Sequence, residues 1–308
     1  MGLFTPRWKS NDENTRLKAV AKLKRQDVLL DLAENDHSSQ VQRAAIQRLT
    51  DPGLLNRIIY LSPSEEKRKL GVDQITDEQE LFKIAVSNPA IYEYFNSTAA
   101  HATERIENQE LLYKVIMRSR YQGAAWAAIE KISDITLLNR LSQEAQISIR
   151  ACALRKLGKE QEAILLLAHR GDIDSIKQLD DPAIWEDVAK NTDAKLSGRV
   201  YTQKLLFPGA VELLDVVQSL LSPFVCPEPD SVVAGYEIKE AWANELIAAA
   251  TDHPEWIRPF WKEIKAEINK PRSHKLHHQA YPTHQDAPYD YYEIFGLGWD
   301  FPANPYGS

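Results

Sequence analysis

The feature that most restricts the fold of this chain is an internal repeat of about 26 residues. Each unit carries a leucine-like anchor residue, with apolar residues three before it, six after it and nine after it. The anchor Leu49, for example, is accompanied by Ile46, Leu55 and Ile58. A period of this length is typical of proteins built from stacked supersecondary units. The anchors are Leu23, Leu49, Ile75, Ile106, Ile132, Leu157, Leu179 and Leu205.

The apolar pattern is far denser than composition alone would produce. Of the 32 positions that it selects, 30 are apolar and the other two are threonine. About 14 would be apolar by chance, since apolar residues make up 44% of the chain. Residues three apart lie on one face of a helical turn, so the spacing predicts two short helices in each unit. The anchor and the residue three before it are predicted to lie on the same helical face.

Polar residues after the anchors indicate where the second helix of a unit begins. The residue two after the anchor carries a side-chain oxygen in five units, where it is placed to accept from free backbone amides at a helix start. Pro52, Pro182 and Pro208 directly follow such turns, and proline suits the first helical position. The predicted caps are Asp51, Asp77, Asn108, Asp134 and Asp181.

The segments Val41–Leu49 and Ile149–Leu157, each rich in Arg and Ala around apolar residues, resemble HEAT-like repeats. The shortness of the unit is similar to the leucine-rich-repeat-variant type. This resemblance implies an all-α fold: a right-handed α-solenoid of about eight helix pairs, most often used as a protein-binding scaffold. Such families also include bilin lyase subunits and DNA glycosylases, but no residue pattern of either is found in this sequence.

The sequence predicts five segments. Residues 1–13 are an N-terminal extension, residues 14–221 the solenoid, and residues 222–232 a proline-rich linker. Residues 233–269 are predicted to form a C-terminal helical cap, in which Ile257, Trp261, Ile264 and Ile268 recur at helical spacing. Residues 270–308 form a tail rich in aromatic residues and histidine.

The tail has two unusual clusters. Eight of its residues are aromatic, which is rare in disordered segments, so Tyr291, Tyr292, Phe295 and Trp299 are predicted to dock on the chain's own solenoid or on a partner. Four histidines lie close together near two aspartates and are candidates for a divalent metal site, although their spacing matches no established motif. A solvated polar linker is the alternative. The histidines are His274, His277, His278 and His284.

The first 70 residues contain 13 Lys and Arg against nine Asp and Glu, whereas the whole chain has a net charge of −7. A basic stripe along stacked helices is able to follow nucleic-acid phosphates, and its best candidates are Arg16, Lys22, Arg43 and Lys69. Interleaved carboxylates favour solvated or paired faces instead, with Arg43 pairing with Asp36 in the preceding turn. An isoelectric point near 5.7 also argues against a dedicated nucleic-acid-binding domain.

The sequence contains no glycine-rich phosphate loop, nucleophile elbow or paired-cysteine zinc pattern, so we expect neither catalysis nor a cofactor. Its two cysteines and the absence of a long apolar stretch are typical of a cytoplasmic protein without membrane contact. The leading hypothesis is a non-catalytic scaffold that binds a protein or peptide on the solenoid surface. The alternatives are nucleic-acid binding or processing by the basic N-terminal repeats and metal binding by the tail.

Overall fold

The computed structural model describes residues 6–87, 92–222, 242, 245–246, 248 and 252–268. These residues contain helices and turns and no strand, so the predicted all-α class is confirmed. The chain divides into two compact units, Met1–Gln218 and Ser219–Ser308, with the boundary inside the helix Val211–Leu221. Among the described helices, none is both long enough and apolar enough to cross a membrane.

In the first unit, each odd-numbered helix leads through a short turn into the even-numbered helix that follows. The odd-numbered helices are α1 (Glu13–Val20), α3 (Ser39–Ile46), α5 (Glu65–Asp73), α7 (Tyr92–Glu104), α9 (Gln122–Lys131), α11 (Ile147–Lys156), α13 (Ile173–Ile176) and α15 (Leu196–Leu206). The even-numbered helices are α2 (Gln26–Asn35), α4 (Pro52–Leu61), α6 (Glu78–Val86), α8 (Gln109–Arg118), α10 (Ile135–Glu144), α12 (Glu160–Ala168), α14 (Pro182–Lys190) and α16 (Val211–Leu221).

The spacing had predicted that the anchors lie on a helical face, but most of them lie in the turn after the odd-numbered helix. The amide of Leu49 donates to the carbonyl of Ile46 over 3.0 Å, and the amide of Ile106 donates to that of Thr103 over 3.0 Å. The spacing of three therefore reflects a tight turn that closes the helix. Leu205 is an exception, because α15 extends past it.

The apolar stripe forms the core of the first unit. Ile46, Leu49, Leu55 and Ile58 are all buried, and the equivalent residues of the neighbouring helices pack around them. The prediction is wrong at Val211, which is 41% exposed. A single 3-10 turn, Pro208–Ala210, precedes α16 and shifts the register, so that Ala210 is buried one position earlier.

All five predicted caps are confirmed. Asp51 accepts from the amide of Leu54 over 3.0 Å, and Asn108 accepts from that of Leu111 over 3.0 Å. Each such cap stabilises its helix by about 1 kcal/mol. Pro52 and Pro182 occupy first-turn positions as predicted, whereas Pro208 begins the 3-10 turn. Four further caps serve odd-numbered helices: Asp12, Ser38, Ser64 and Asp172.

Many helices of the same parity pack on one another in chain order. The extensive contacts join α1 to α3, α3 to α5, α5 to α7, α7 to α9, α9 to α11 and α13 to α15. Others join α2 to α4, α6 to α8 and α8 to α10. Ile59 on α4 lies in one apolar cluster with Leu81 and Ile84 on α6. Residues one period apart are therefore neighbours in space.

Polar side chains also connect successive turns. The Oε1 atom of Gln109 accepts from the amides of Ser133 and Asp134 over 2.8 and 3.3 Å. Gln26 makes the equivalent contacts with the turn at residues 50–51, and the Glu78 carboxylate does so with the turn at residues 107–108. These contacts hold otherwise free amides of one turn to the start of the preceding even-numbered helix.

Cations directly before the anchors reach back to the preceding helix pair. Arg48 donates to the carbonyl of Leu23 over 3.2 Å, and the Nζ atom of Lys131 donates to that of Glu104 over 2.5 Å. Arg105 donates to Val72, and Lys156 to Glu130. Cations at helix C-termini complement the free carbonyls and the helix dipole, so these contacts stabilise the junctions.

In the second unit, α17 (Pro254–Ile257) and α18 (Trp261–Ile268) are separated by a 3-10 turn, Arg258–Phe260. Sequence spacing alone had predicted an uninterrupted helical pattern from Ile257 to Ile268. Pro259 has no amide hydrogen to donate, which accounts for the break. Ile257, Phe260 and Ile264 are buried.

Candidate interaction surface

Arg16, the first of the predicted nucleic-acid contacts, is held in a structural ion pair. Its Nε and Nη2 atoms donate to the Asp36 carboxylate over 2.8 and 2.9 Å, and Nη1 donates to the carbonyl of Ser10. Burial disfavours the ionised Asp36, yet hydrogen bonds from Arg16 and the Ser38 amide hold its pKa below the usual value. Arg16 therefore joins α1 to the end of α2.

The expected pairing of Arg43 with Asp36 is wrong. Because Asp36 is occupied by Arg16, Arg43 on α3 pairs with Glu66 on α5. Lys69 pairs with Glu65 over 2.7 Å, four residues earlier on the same helix. Lys22 is exposed and has no partner within the described residues. Of the four predicted contacts, three are thus paired with carboxylates.

The tail candidates lie outside the described residues, so their docking and metal binding stay predictions. They are Tyr291, Tyr292, Phe295, Trp299, His274, His277, His278 and His284. In the described part of the chain, no three His, Cys, Asp or Glu side chains are arranged to hold a metal ion. His101 contacts Asp73 over 2.7 Å in that part, as an exposed pair between α7 and the end of α5.

A different set of cations occupies one repeat position on four consecutive even-numbered helices. Each member lies eight residues after an anchor, and each is exposed. Because the helices that carry them are neighbours, residues at equivalent positions lie along one surface of the first unit. We call this set the basic row: Arg57 on α4, Lys83 on α6, Lys114 on α8 and Arg140 on α10.

Two members of the basic row form exposed ion pairs. The Nε and Nη2 atoms of Arg57 donate to the Glu34 carboxylate on α2 over 2.7 and 2.9 Å. Lys83 pairs with Glu80 over 2.6 Å on its own helix. The side chains of Arg57 and Lys83 nevertheless remain 54% and 65% exposed. Exposed pairs contribute about 0–1 kcal/mol, so an external carboxylate competes for both cations at little cost.

Arg140 is positioned by Tyr113 rather than by a carboxylate. Its guanidinium carbon lies 4.3 Å from the centroid of the Tyr113 ring, and Nη2 donates to the phenol oxygen over 2.9 Å. The hydroxyl in turn donates to Glu144 over 2.9 Å. Burial, followed by the Glu144 contact, raises the pKa of Tyr113, so the phenol stays protonated and keeps donating. Arg140 remains exposed.

Lys114, near the middle of the basic row, has no ion-pair or hydrogen-bond partner among the described residues. Arg57 on α4 pairs with Glu34 on α2, a residue that lies eleven positions after an anchor. The residue at the same repeat position on α6 is Val86, so α6 has no carboxylate there for Lys114 on α8. Arg118 and Arg120 near the end of α8 are also exposed and without a described partner. Lys114, Arg118 and Arg120 form the α8 cluster, and Met117 between them is 42% exposed.

Sequence reasoning missed the basic row, although a signal for it was present. The predicted repeat comprises apolar positions and helix caps, and it assigns no position to basic residues. Counting eight residues on from Leu49, Ile75, Ile106 and Ile132 reaches a Lys or Arg every time. Repeat position therefore indicates this surface, whereas local charge density points to the N-terminal units.

No protein-family model matches the sequence, and searches of curated proteins and of solved structures also give no match.

Proposed function

We propose that this protein is a non-catalytic interaction scaffold: a right-handed α-solenoid of about eight helix pairs that binds a segment of a partner protein along its even-numbered helices. Support for the solenoid comes from the packing of like-parity helices in chain order and from polar contacts one period apart. Stacked helix pairs present extended surfaces, which suits binding of an elongated segment.

The observation that carries the proposed binding function is the basic row with the α8 cluster at its centre. Lys114, Arg118 and Arg120 are exposed cations that no described carboxylate neutralises. Met117 and Leu61 expose apolar surface on α8 and α4, at 42% and 67%. Cations beside adaptable apolar side chains favour a protein segment over a nucleic acid, since a phosphate backbone offers little to an exposed methionine or leucine.

A displayed library of random peptides tests this function with the full-length chain. We expect selected peptides to bind the wild-type protein and to lose most binding to a Lys114→Glu/Arg118→Glu variant. A Lys18→Glu/Lys22→Glu variant is the matched control, because it reverses two exposed cations at the N-terminal end. Failure to enrich any peptide, or equal binding to the Lys114→Glu/Arg118→Glu variant, contradicts the proposal.

A salt titration with duplex DNA tests the competing nucleic-acid function. The scaffold proposal predicts weak binding of DNA even at low salt, because the chain has a net charge of −7 and carboxylates that repel phosphate lie beside Arg16, Arg43 and Lys69. Tight binding that the Lys18→Glu/Lys22→Glu variant abolishes would instead favour the nucleic-acid alternative.

A further inference from the structure

We infer that the segment bound by the basic row is an acidic polyproline II segment with a carboxylate at every third residue. This inference rests on the proposed scaffold function and specifies the chemistry of the partner. Three observations support it: the placement of four cations, the absence of a described carboxylate partner at Lys114, and the usual distance between packed helices.

The four cations of the basic row are aligned along the first unit. Arg57, Lys83, Lys114 and Arg140 occupy the same repeat position on α4, α6, α8 and α10. Contacts within the first unit support the alignment, since Arg57 reaches Glu34 on the preceding even-numbered helix and Arg140 reaches Tyr113 in the same way. Ile59 on α4 lies in one apolar cluster with Leu81 and Ile84 on α6, so these two helices are also neighbours. The row therefore advances by one helix per cation.

Some cations of the basic row are available to a ligand. Lys114 has no described partner, and Arg140 is held by a neutral phenol. Arg57 and Lys83 are paired but more than half exposed. Glu110 is the one acidic residue of the stretch 108–121, which holds three cations. Positive charge is thus concentrated at α8, and a ligand rich in carboxylates complements it.

The spacing of the basic row matches one extended conformation of a bound segment. Packed helices lie about 8–10 Å apart, so we expect the backbone positions that carry neighbouring cations of the row to be separated by about that distance. A polyproline II helix rises about 3.1 Å per residue with three residues per turn, so residues three apart lie on one edge about 9 Å from each other. A β-strand alternates faces with a period of two, so its residues three apart point in opposite directions. The polyproline II conformation is therefore the extended form whose period matches the row.

The proposed ligand also accounts for the exposed apolar side chains. Met117 lies between Lys114 and Arg118 on α8, and Leu61 ends α4. A polyproline II segment that directs one edge toward the cations presents proline rings between its carboxylates. Such rings pack on unbranched or branched aliphatic side chains at little entropic cost, because the segment is already extended before it binds.

Fluorescence anisotropy with defined peptides tests the inference on the full-length protein at low ionic strength. One peptide carries four Glu-Pro-Ser repeats, and an isomer of identical composition carries its four glutamates at alternate positions. We expect the first peptide to bind about tenfold more tightly than the isomer. Lys114→Glu should weaken it by about tenfold or more, whereas Lys18→Glu, an equal change of charge on α1, should leave the affinity within about twofold.

The outcomes separate this inference from the proposed function. Equal affinity for the two isomers overturns the every-third-residue rule. If display then yields peptides that depend on Lys114 but share no acidic spacing, the scaffold function stands and the inference fails. Equal weakening by Lys18→Glu shows unspecific attraction and overturns the assignment to the basic row. Displacement of the peptide by duplex DNA at similar concentration identifies phosphate rather than carboxylate as the preferred group and also overturns it.

Discussion

Replacing Leu55 by aspartate is expected to lower the free energy of unfolding by about 4 kcal/mol, because the new carboxylate would be buried without a partner. The Leu55 side chain is 3% exposed and packs with Leu29, Leu49 and Ile58 in one cluster. Urea denaturation followed by far-ultraviolet circular dichroism measures the change as a fall in the midpoint.

The adjacent residue supplies a matched control for this prediction. Asn56 is exposed on α4, so Asn56→Asp introduces the same side chain where water solvates it. We expect its cost to stay within about 0.5 kcal/mol. Leu138→Asp and Asn139→Asp repeat the comparison on α10, where Leu138 is 4% exposed. Equal costs within either pair would show that the apolar register is wrong.

Replacing Gly198 by alanine is expected to lower the free energy of unfolding by about 3 kcal/mol, through overpacking of two backbones. A Cβ atom at Gly198 would lie 2.3 Å from the Cα atom and the carbonyl oxygen of Gly171. No side chain is available to rotate away, so the turn before α13 and the start of α15 would have to separate. The Lys195 amide, which donates to the Arg170 carbonyl over 2.9 Å, opposes that separation.

Gly158→Ala serves as the comparison, because it isolates the backbone term. Gly158 has a φ of 75°, and a Cβ atom there would meet nothing within 4 Å. We expect a cost of about 1 kcal/mol from the left-handed conformation alone. Thermal unfolding of the two variants measures the difference. A Gly198→Ala variant as stable as Gly158→Ala would contradict the close approach at Gly171.

Sequence predicted the parts of this fold that depend on neighbours along the chain. The caps at Asp51 and Asn108 act on amides three residues ahead, so local spacing was enough to identify them. The apolar stripe was predicted for the same reason. The prediction that Val211 is buried was wrong because the 3-10 turn before α16 shifts the register by one residue. A constant repeat length does not include such a local shift.

Contacts between helix pairs were harder to predict, because several partners compete for one group. The sequence predicted that Arg43 pairs with Asp36. In the structure, Arg16 on α1 donates two hydrogen bonds to Asp36, and Arg43 pairs with Glu66. The approach of Gly171 to Gly198 joins residues 27 positions apart, which is about one period. Such pairs, like the basic row, become visible only when side chains are compared by repeat position.

Distances between spin labels test the central claim, that helix pairs stack end to end, most directly. Residues four after the anchors are exposed on even-numbered helices, so labels at Asp27 and, in turn, at Gln79, Glu110 and Thr136 sample separations of two, three and four pairs. The chain for this measurement has both native cysteines replaced by alanine. Double electron–electron resonance is expected to give distances that increase by about 10 Å with each added pair. Distances that level off or shorten between Glu110 and Thr136 would contradict the stack.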